Sequence, residues 1–127
     1  MDAVRFNLIA RALESIPSEM SINMLKAAYS SIVREAKDLS TALFDPKGNA
    51  VVQAEQIPIL VAALSTALNY VIEKHPLDTW KNDECIITND PYHGGQHLND
   101  IALFIPIFDG NERVGIAGSI AHHLDLG

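Results

Sequence analysis

Between residues 4 and 16 the apolar positions Val4, Leu8, Ala12 and Ile16 recur about four apart, the spacing that lines one face of a helix. Pro17-Ser18 interrupts the pattern, so a short amphipathic helix is expected to stop there. A second helix is predicted from Ser18, a capping residue type, to about Ala36, with Ile22, Leu25, Tyr29, Ile32 and Val33 at helical spacing. Ala42-Leu43-Phe44 and Ala50-Val51-Val52 flank Asp45-Pro46-Lys47-Gly48-Asn49, where proline sets one turn torsion and glycine accepts a positive one. A hairpin follows. Pro58 suits the first turn of a third helix, and the Ala/Leu-rich run behind it reads as buried until His75-Pro76 ends it near Lys74.

From residue 85 the period changes. Cys85-Ile86-Ile87-Thr88 is a short apolar, β-branched run of the kind found in an interior strand, with Cys85 as a small buried side chain. Asp90-Pro91-Tyr92-His93-Gly94-Gly95-Gln96 carries turn chemistry, and the tight structural turn it suggests outweighs an anion nest. Residues 101–108 and 114–121 are apolar stretches joined through Asp109-Gly110-Asn111-Glu112, an arrangement that predicts an antiparallel pair. The order of elements indicates an α+β fold, helices packed on a mixed, largely antiparallel sheet, rather than repeated βαβ units.

Composition narrows the function classes. A length of 127 residues with 48% apolar and 20% charged residues suits one packed core. A net charge of -7 repels phosphate backbones and leaves no polybasic patch, so no nucleic acid and no membrane surface is expected as a partner. The uncharged stretch 57–72 contains Pro58 and is shorter than the roughly 20 residues that span a bilayer. Cys85 has no intrachain partner, which excludes a disulfide framework and suits a reducing, cytoplasmic setting. The chain stops at Leu126-Gly127 directly after a polar cluster, and residues 1–127 read as one segment truncated at its C-terminal end.

Four of the five histidines, His93, His97, His122 and His123, lie in that last third, interleaved with Asp90, Asp100 and Asp125. A divalent metal takes three or four N/O ligands, and antiparallel strands can bring distant groups within reach of one ion. His97 and Asp100 stand three apart, and His122-His123-Leu124-Asp125 supplies a second group from the far end of the hairpin. Taken singly, each histidine is better read as a strand-end cap or a solvated side chain, and Asp38 as a cap after the second helix. In an extended strand His123 and Asp125 share one face and His122 takes the other, so spacing does not choose between the histidines.

The string NDPYHGGQHLNDIALFIPIF at 89–108, then AHHLDLG at 121–127, resembles the hydantoinase B/oxoprolinase family. Upstream, SSIVREAKDLSTALFDPKGNAVVQAEQIPI at 30–59 is similar to the family's Ser-x-x-x-x-Glu-x-x-Asp-x-Ser segment and the glycine turn beyond it. Family members are several times longer and work with an A-type partner that binds ATP. The resemblance implies ATP-dependent hydrolytic opening of a small cyclic amide (hydantoin, 5-oxoproline or lactam) in a hetero-oligomer with a hydantoinase A-type subunit. Carboxylation of small ketones is the alternative within the family, and a non-catalytic assembly role, with the apolar third helix and the sheet buried against further protein, is the alternative outside it. It also implies a divalent metal (zinc, manganese or iron) held by Asp38, His97, Asp100 and His122, the last chosen because the following position varies in the family. Asp125 or His123 would then orient a ligand or move a proton. Much of a substrate pocket would come from residues beyond this segment, so catalysis by the segment alone is not expected.

Overall fold

Strand alternation sorts the side chains of this chain onto two faces of one sheet, and each face takes a different helix. The structure, a computed structural model, describes residues 2–54 and 58–125. A long helix α1 (Ala3–Ala27) and a π-helical turn (Ile32–Ala36) precede strands β1 (Leu39–Phe44) and β2 (Ala50–Gln53). Helix α2 (Pro58–Lys74) and a 3-10 turn (Leu77–Thr79) lead into β3 (Ile86–Thr88), β4 (Asp100–Asp109) and β5 (Glu112–His122). The strands lie in the order β2-β1-β5-β4-β3 with every pairing antiparallel, which makes the fold α+β.

Even-numbered side chains of the three central strands face α2. Ala42, Phe44, Ala102, Phe104, Ile116 and Ile120 form one core with Leu60, Ala63, Leu64, Ala67, Leu68 and Val71 of that helix. The odd-numbered face carries a smaller cluster in which Leu39 and Ala121 meet Val33 and the partly buried Met24, Leu25 and Ala28. The β4–β5 hairpin closes on Gly110-Asn111, and a positive φ of 59° at the first turn residue is the requirement that glycine meets in a type II′ turn.

Two expectations are corrected. Pro17 does not end a helix: α1 runs through it, and the helix expected from Ser18 to Ala36 stops at Ala27. Proline removes a backbone donor inside a helix at a cost of roughly 3 kcal/mol, and tertiary contacts offset it here. Pro17 is buried, and Thr41 Oγ1 on β1 donates to its carbonyl at 2.6 Å. Having spent its one proton, the Thr41 hydroxyl accepts from Ser21 Oγ at 2.8 Å, one helical turn further on. The second correction concerns β3, which among the described residues pairs only with β4, at the sheet edge, leaving Ile87 and Cys85 exposed. A short apolar run has the same composition on an edge as in a centre, so period alone does not tell them apart.

The β1–β2 turn is held by one carboxylate. Asp45 accepts from the Lys47 and Asn49 backbone N–H groups and from the Asn49 side chain, at 2.8–2.9 Å. The Asn49 amide, foremost, and these backbone donors hold the Asp45 carboxyl below its ordinary value of 3.8.

Two outcomes follow from these contacts. Thr41→Val strands the Ser21 hydroxyl and lowers the unfolding free energy by about 1–3 kcal/mol, read from urea denaturation. Because the Asp45 pKa is depressed by folding, its contribution is present above the unfolded value and is lost as pH falls through the folded one. Asp45→Ala is therefore less stable than wild type at neutral pH, and the difference between the two shrinks in urea titrations repeated in strong acid.

Candidate metal centre

At the open end of the sheet, two strands and the residue just before a third place polar residues in one lateral row. Asp100 opens β4 and stands opposite His122 of β5. Asp38 directly precedes β1, and its carbonyl accepts the His122 backbone N–H at 3.0 Å, which extends the β1–β5 register by one residue. Asp38, His122 and Asp100 are thus neighbours across β1, β5 and β4, just beyond the row of Ser40, Ile120 and Ala102.

His97 reaches the row from a loop that the core holds in place. Its carbonyl accepts the Asp100 N–H at 3.0 Å, and Asn99 ties the turn to β5 twice, accepting from His123 N–H and donating through its amide to the His123 carbonyl. Upstream, the Asp90 carboxylate accepts the Tyr92 N–H and lies 2.8 Å from His93 Nδ1, while the His93 ring stacks on Tyr70 of α2 with centroids 3.9 Å apart. The His93 ring, then the Tyr92 N–H, keep the Asp90 carboxyl below its ordinary range. Gly94 presses on α2 itself: its φ is +115°, and a Cβ there would lie 2.5–2.7 Å from backbone atoms of Ala63 and Ala67.

Asp100 organises the centre. Only 2% of it is exposed, and burial by itself pushes the carboxyl up. The Gln96 N–H, the His122 ring and the His97 N–H outweigh that effect and hold it below the usual carboxylate value. Oδ2 accepts both backbone donors at 2.8 Å, and Oδ1 meets His122 Nδ1 at 2.7 Å. His97 Nδ1 stands 3.4 Å from Oδ2, and the two imidazoles lie edge to face with centroids 5.1 Å apart.

One donor atom each from His97, Asp100 and His122 all fall within 4.8 Å of one another. Ligand atoms about 2.1 Å from a common ion lie roughly 3–3.5 Å apart, and the 2.7 and 3.4 Å separations, which run to the two different oxygens of Asp100, are of that order. The half-buried Asp38 joins this group through its backbone, and its carboxylate lies outside the set of three. His123 falls on the opposite face by alternation and lines a cavity beside α1 with Met24, Tyr29 and Val33. Asp125 is exposed just past the strand end. Sequence reasoning missed the supports: Tyr70 and the small pair Ala63 and Ala67 gave no signal, whereas the Gly94-Gly95 turn was visible but its contact with α2 was not.

The family model for hydantoinase B/oxoprolinase matches residues 2–127, and the chain belongs to that family. It is 32% identical to the 5-oxoprolinase of Dictyostelium discoideum over 127 residues, all of this chain and 10% of that protein. The B-type subunit of a putative D-/L-hydantoinase from Pseudomonas sp. (strain NS671) is 30% identical over 131 residues, covering all of this chain and 22% of its own length. Among solved structures, the ATP-dependent caprolactamase from Pseudomonas jessenii superposes with a TM-score of 0.88 at 30% identity, over 100% of this chain and 22% of that one. A nucleotide-free acetone carboxylase shares the fold, with a TM-score of 0.82 at 24% identity over 95% and 16% of the two chains. The chain spans between 10% and 23% of the first curated relatives it matches. No described helix is long and apolar enough to cross a membrane.

Gly94→Ala must move the loop off α2 or distort its backbone, at about 1–3 kcal/mol. The expected result is a lower thermal midpoint together with displaced His97 and His122 imidazole resonances in NMR spectra, reporting that the two histidines have shifted relative to each other.

Proposed function

We propose that this chain is the metal-bearing portion of a B-type subunit that opens a cyclic amide hydrolytically, together with an ATP-binding A-type subunit. The observation that carries this reading is the convergence of His97, Asp100 and His122 on one point at a sheet end, in a member of the hydantoinase B/oxoprolinase family. In this proposal Asp38 turns its carboxylate toward the same point as the fourth ligand, its backbone being already bonded to His122. Two histidines with carboxylates suit zinc, manganese or iron. A divalent ion held there supplies Lewis-acid activation of water and of an amide carbonyl.

The chain's own residues do the rest. Asp100 orients His122 through Nδ1 and gathers the His97 loop through two backbone bonds, so both imidazoles are set before any ligand arrives. His123 contributes by locking the 97–100 turn through its backbone pair with Asn99, and Asp125, at the strand end, is the group assigned to handle a proton. The partner's ATP-dependent activation of the amide and the cytoplasmic setting belong to this same reading, which draws on the names of the caprolactamase and of the Pseudomonas hydantoinase component.

One observation favours a second role, in assembly. Val4, Phe6, Leu8 and Ile9 of α1 are exposed, from 44% to 70%, an apolar surface that fits burial against further protein. Helix α2, by contrast, spends its apolar face on the sheet.

Metal analysis of the purified chain tests the site. Wild type is expected to retain close to one divalent ion per chain, and His97→Ala and His122→Ala each to lose it, with affinity down by roughly 100-fold or more. Stoichiometric metal in both variants rejects these ligands. Activity is then assayed with the full chain, an A-type partner, ATP and a panel of lactams, hydantoins and ketones. Turnover of a cyclic amide supports the hydrolase; turnover of ketones alone selects the carboxylase, and no turnover at all selects assembly.

A further inference from the structure

Ser40 has 0% exposure, and its hydroxyl has no hydrogen-bond partner among the described residues. The other buried polar side chains among the described residues are served: Ser21 and Thr41 by each other, Asp100 by His122 and two backbone groups. An unpaired buried hydroxyl costs about 1–3 kcal/mol, and its persistence in a central strand points to a partner in another state of the molecule.

Its surroundings restrict that partner. Ser40 lies on the α2-facing side of β1, opposite Ile120, with Ala42 two residues along and Ala102 one strand further in the same row. All of these are apolar. The nearest polar row on that face is Asp38, His122 and Asp100, and within it His122 and Asp100 are already bonded to each other. Asp38 stands two residues before Ser40, directly ahead of β1, with its carbonyl bonded to the His122 N–H in the row next to that of Ser40.

We propose that Ser40 is a positioning residue for the cation site: its hydroxyl donates to the Asp38 carboxylate when that carboxylate is turned to its ligand position. The inference rests on the proposed metal reading. It explains why a donor is stored in an apolar row with nothing to bond, since an acceptor-only carboxylate arriving beside it satisfies both groups and fixes which oxygen faces the ion. Removing the hydroxyl then weakens metal binding without harming the metal-free fold, the reverse of what an ordinary buried hydrogen bond does.

The experiment is a double-mutant cycle on the full chain with Mn2+ as the probe, read by isothermal titration and by the Mn2+ EPR line shape. Ser40→Ala is expected to weaken Mn2+ binding about 10- to 100-fold and broaden the spectrum, with the metal-free thermal midpoint unchanged or higher. Ser40→Cys, close in size and a weak donor, should fall between. In an Asp38→Ala background Ser40→Ala should have no further effect. Affinity within threefold of wild type in Ser40→Ala, or an equal loss with Asp38 removed, overturns the inference while leaving the metal site standing. A drop in the metal-free midpoint with unchanged affinity overturns it in favour of a structural role with buried water. Wild type that binds neither Mn2+ nor Zn2+ defeats the metal reading, and this inference with it.

Discussion

A carboxylate withdrawn from water at the start of a strand has to be compensated at once, and the way Asp100 meets that demand shapes one whole end of the molecule. Two backbone N–H groups from residues 96 and 97 satisfy one oxygen, which forces the chain before β4 into a turn. The other oxygen takes the His122 ring, which can reach it only if the β4–β5 register is the observed one. Slipping that pairing by one residue would deliver His123 to the α2 face and bury its neighbour on the wrong side. The ion-like link between Asp100 and His122 and the hydrophobic register of the hairpin therefore specify each other.

The loop that carries His97 depends on the core just as closely. Small residues at 63 and 67 leave a groove in α2 that only a glycine backbone at 94 can enter, and the Tyr70–His93 stack closes over it. A loop is usually an exposed, mobile element; here the exposed His97 imidazole, 63% accessible, stands on a base gripped by a helix and a strand. Rigidity in the supports lets a solvent-accessible side chain hold a set position, which is what a centre needs if a substrate is to approach it.

The two sheet faces divide the labour. One is sealed by α2 and carries the Asp38, His122 and Asp100 row at its end; the other is only partly covered by α1, whose N-terminal half presents apolar side chains to solvent. The buried Pro17–Thr41–Ser21 network attaches α1 to β1 just beyond that half. The Dictyostelium and Pseudomonas relatives are several times longer than this chain, and the partly covered face is the one that the proposed assembly role would use.

Local chemistry in the sequence determined a good deal. The third helix, the two hairpins and the α+β class were legible because proline, glycine and period act over a few residues. The family and a His/Asp cluster were legible from ordered motifs at 89–108 and 121–127. Three things were decided only in the folded chain. A helix passed through Pro17 because a threonine 24 residues away supports its carbonyl; Cys85 became an edge residue because no further described strand pairs with β3. His122 rather than His123 stands beside Asp100, a placement that spacing left open and only the family resemblance implied, because register assigns it to the face that holds Asp100. Each depends on a partner distant in sequence, and neither propensity nor spacing carries information about which distant partner will arrive.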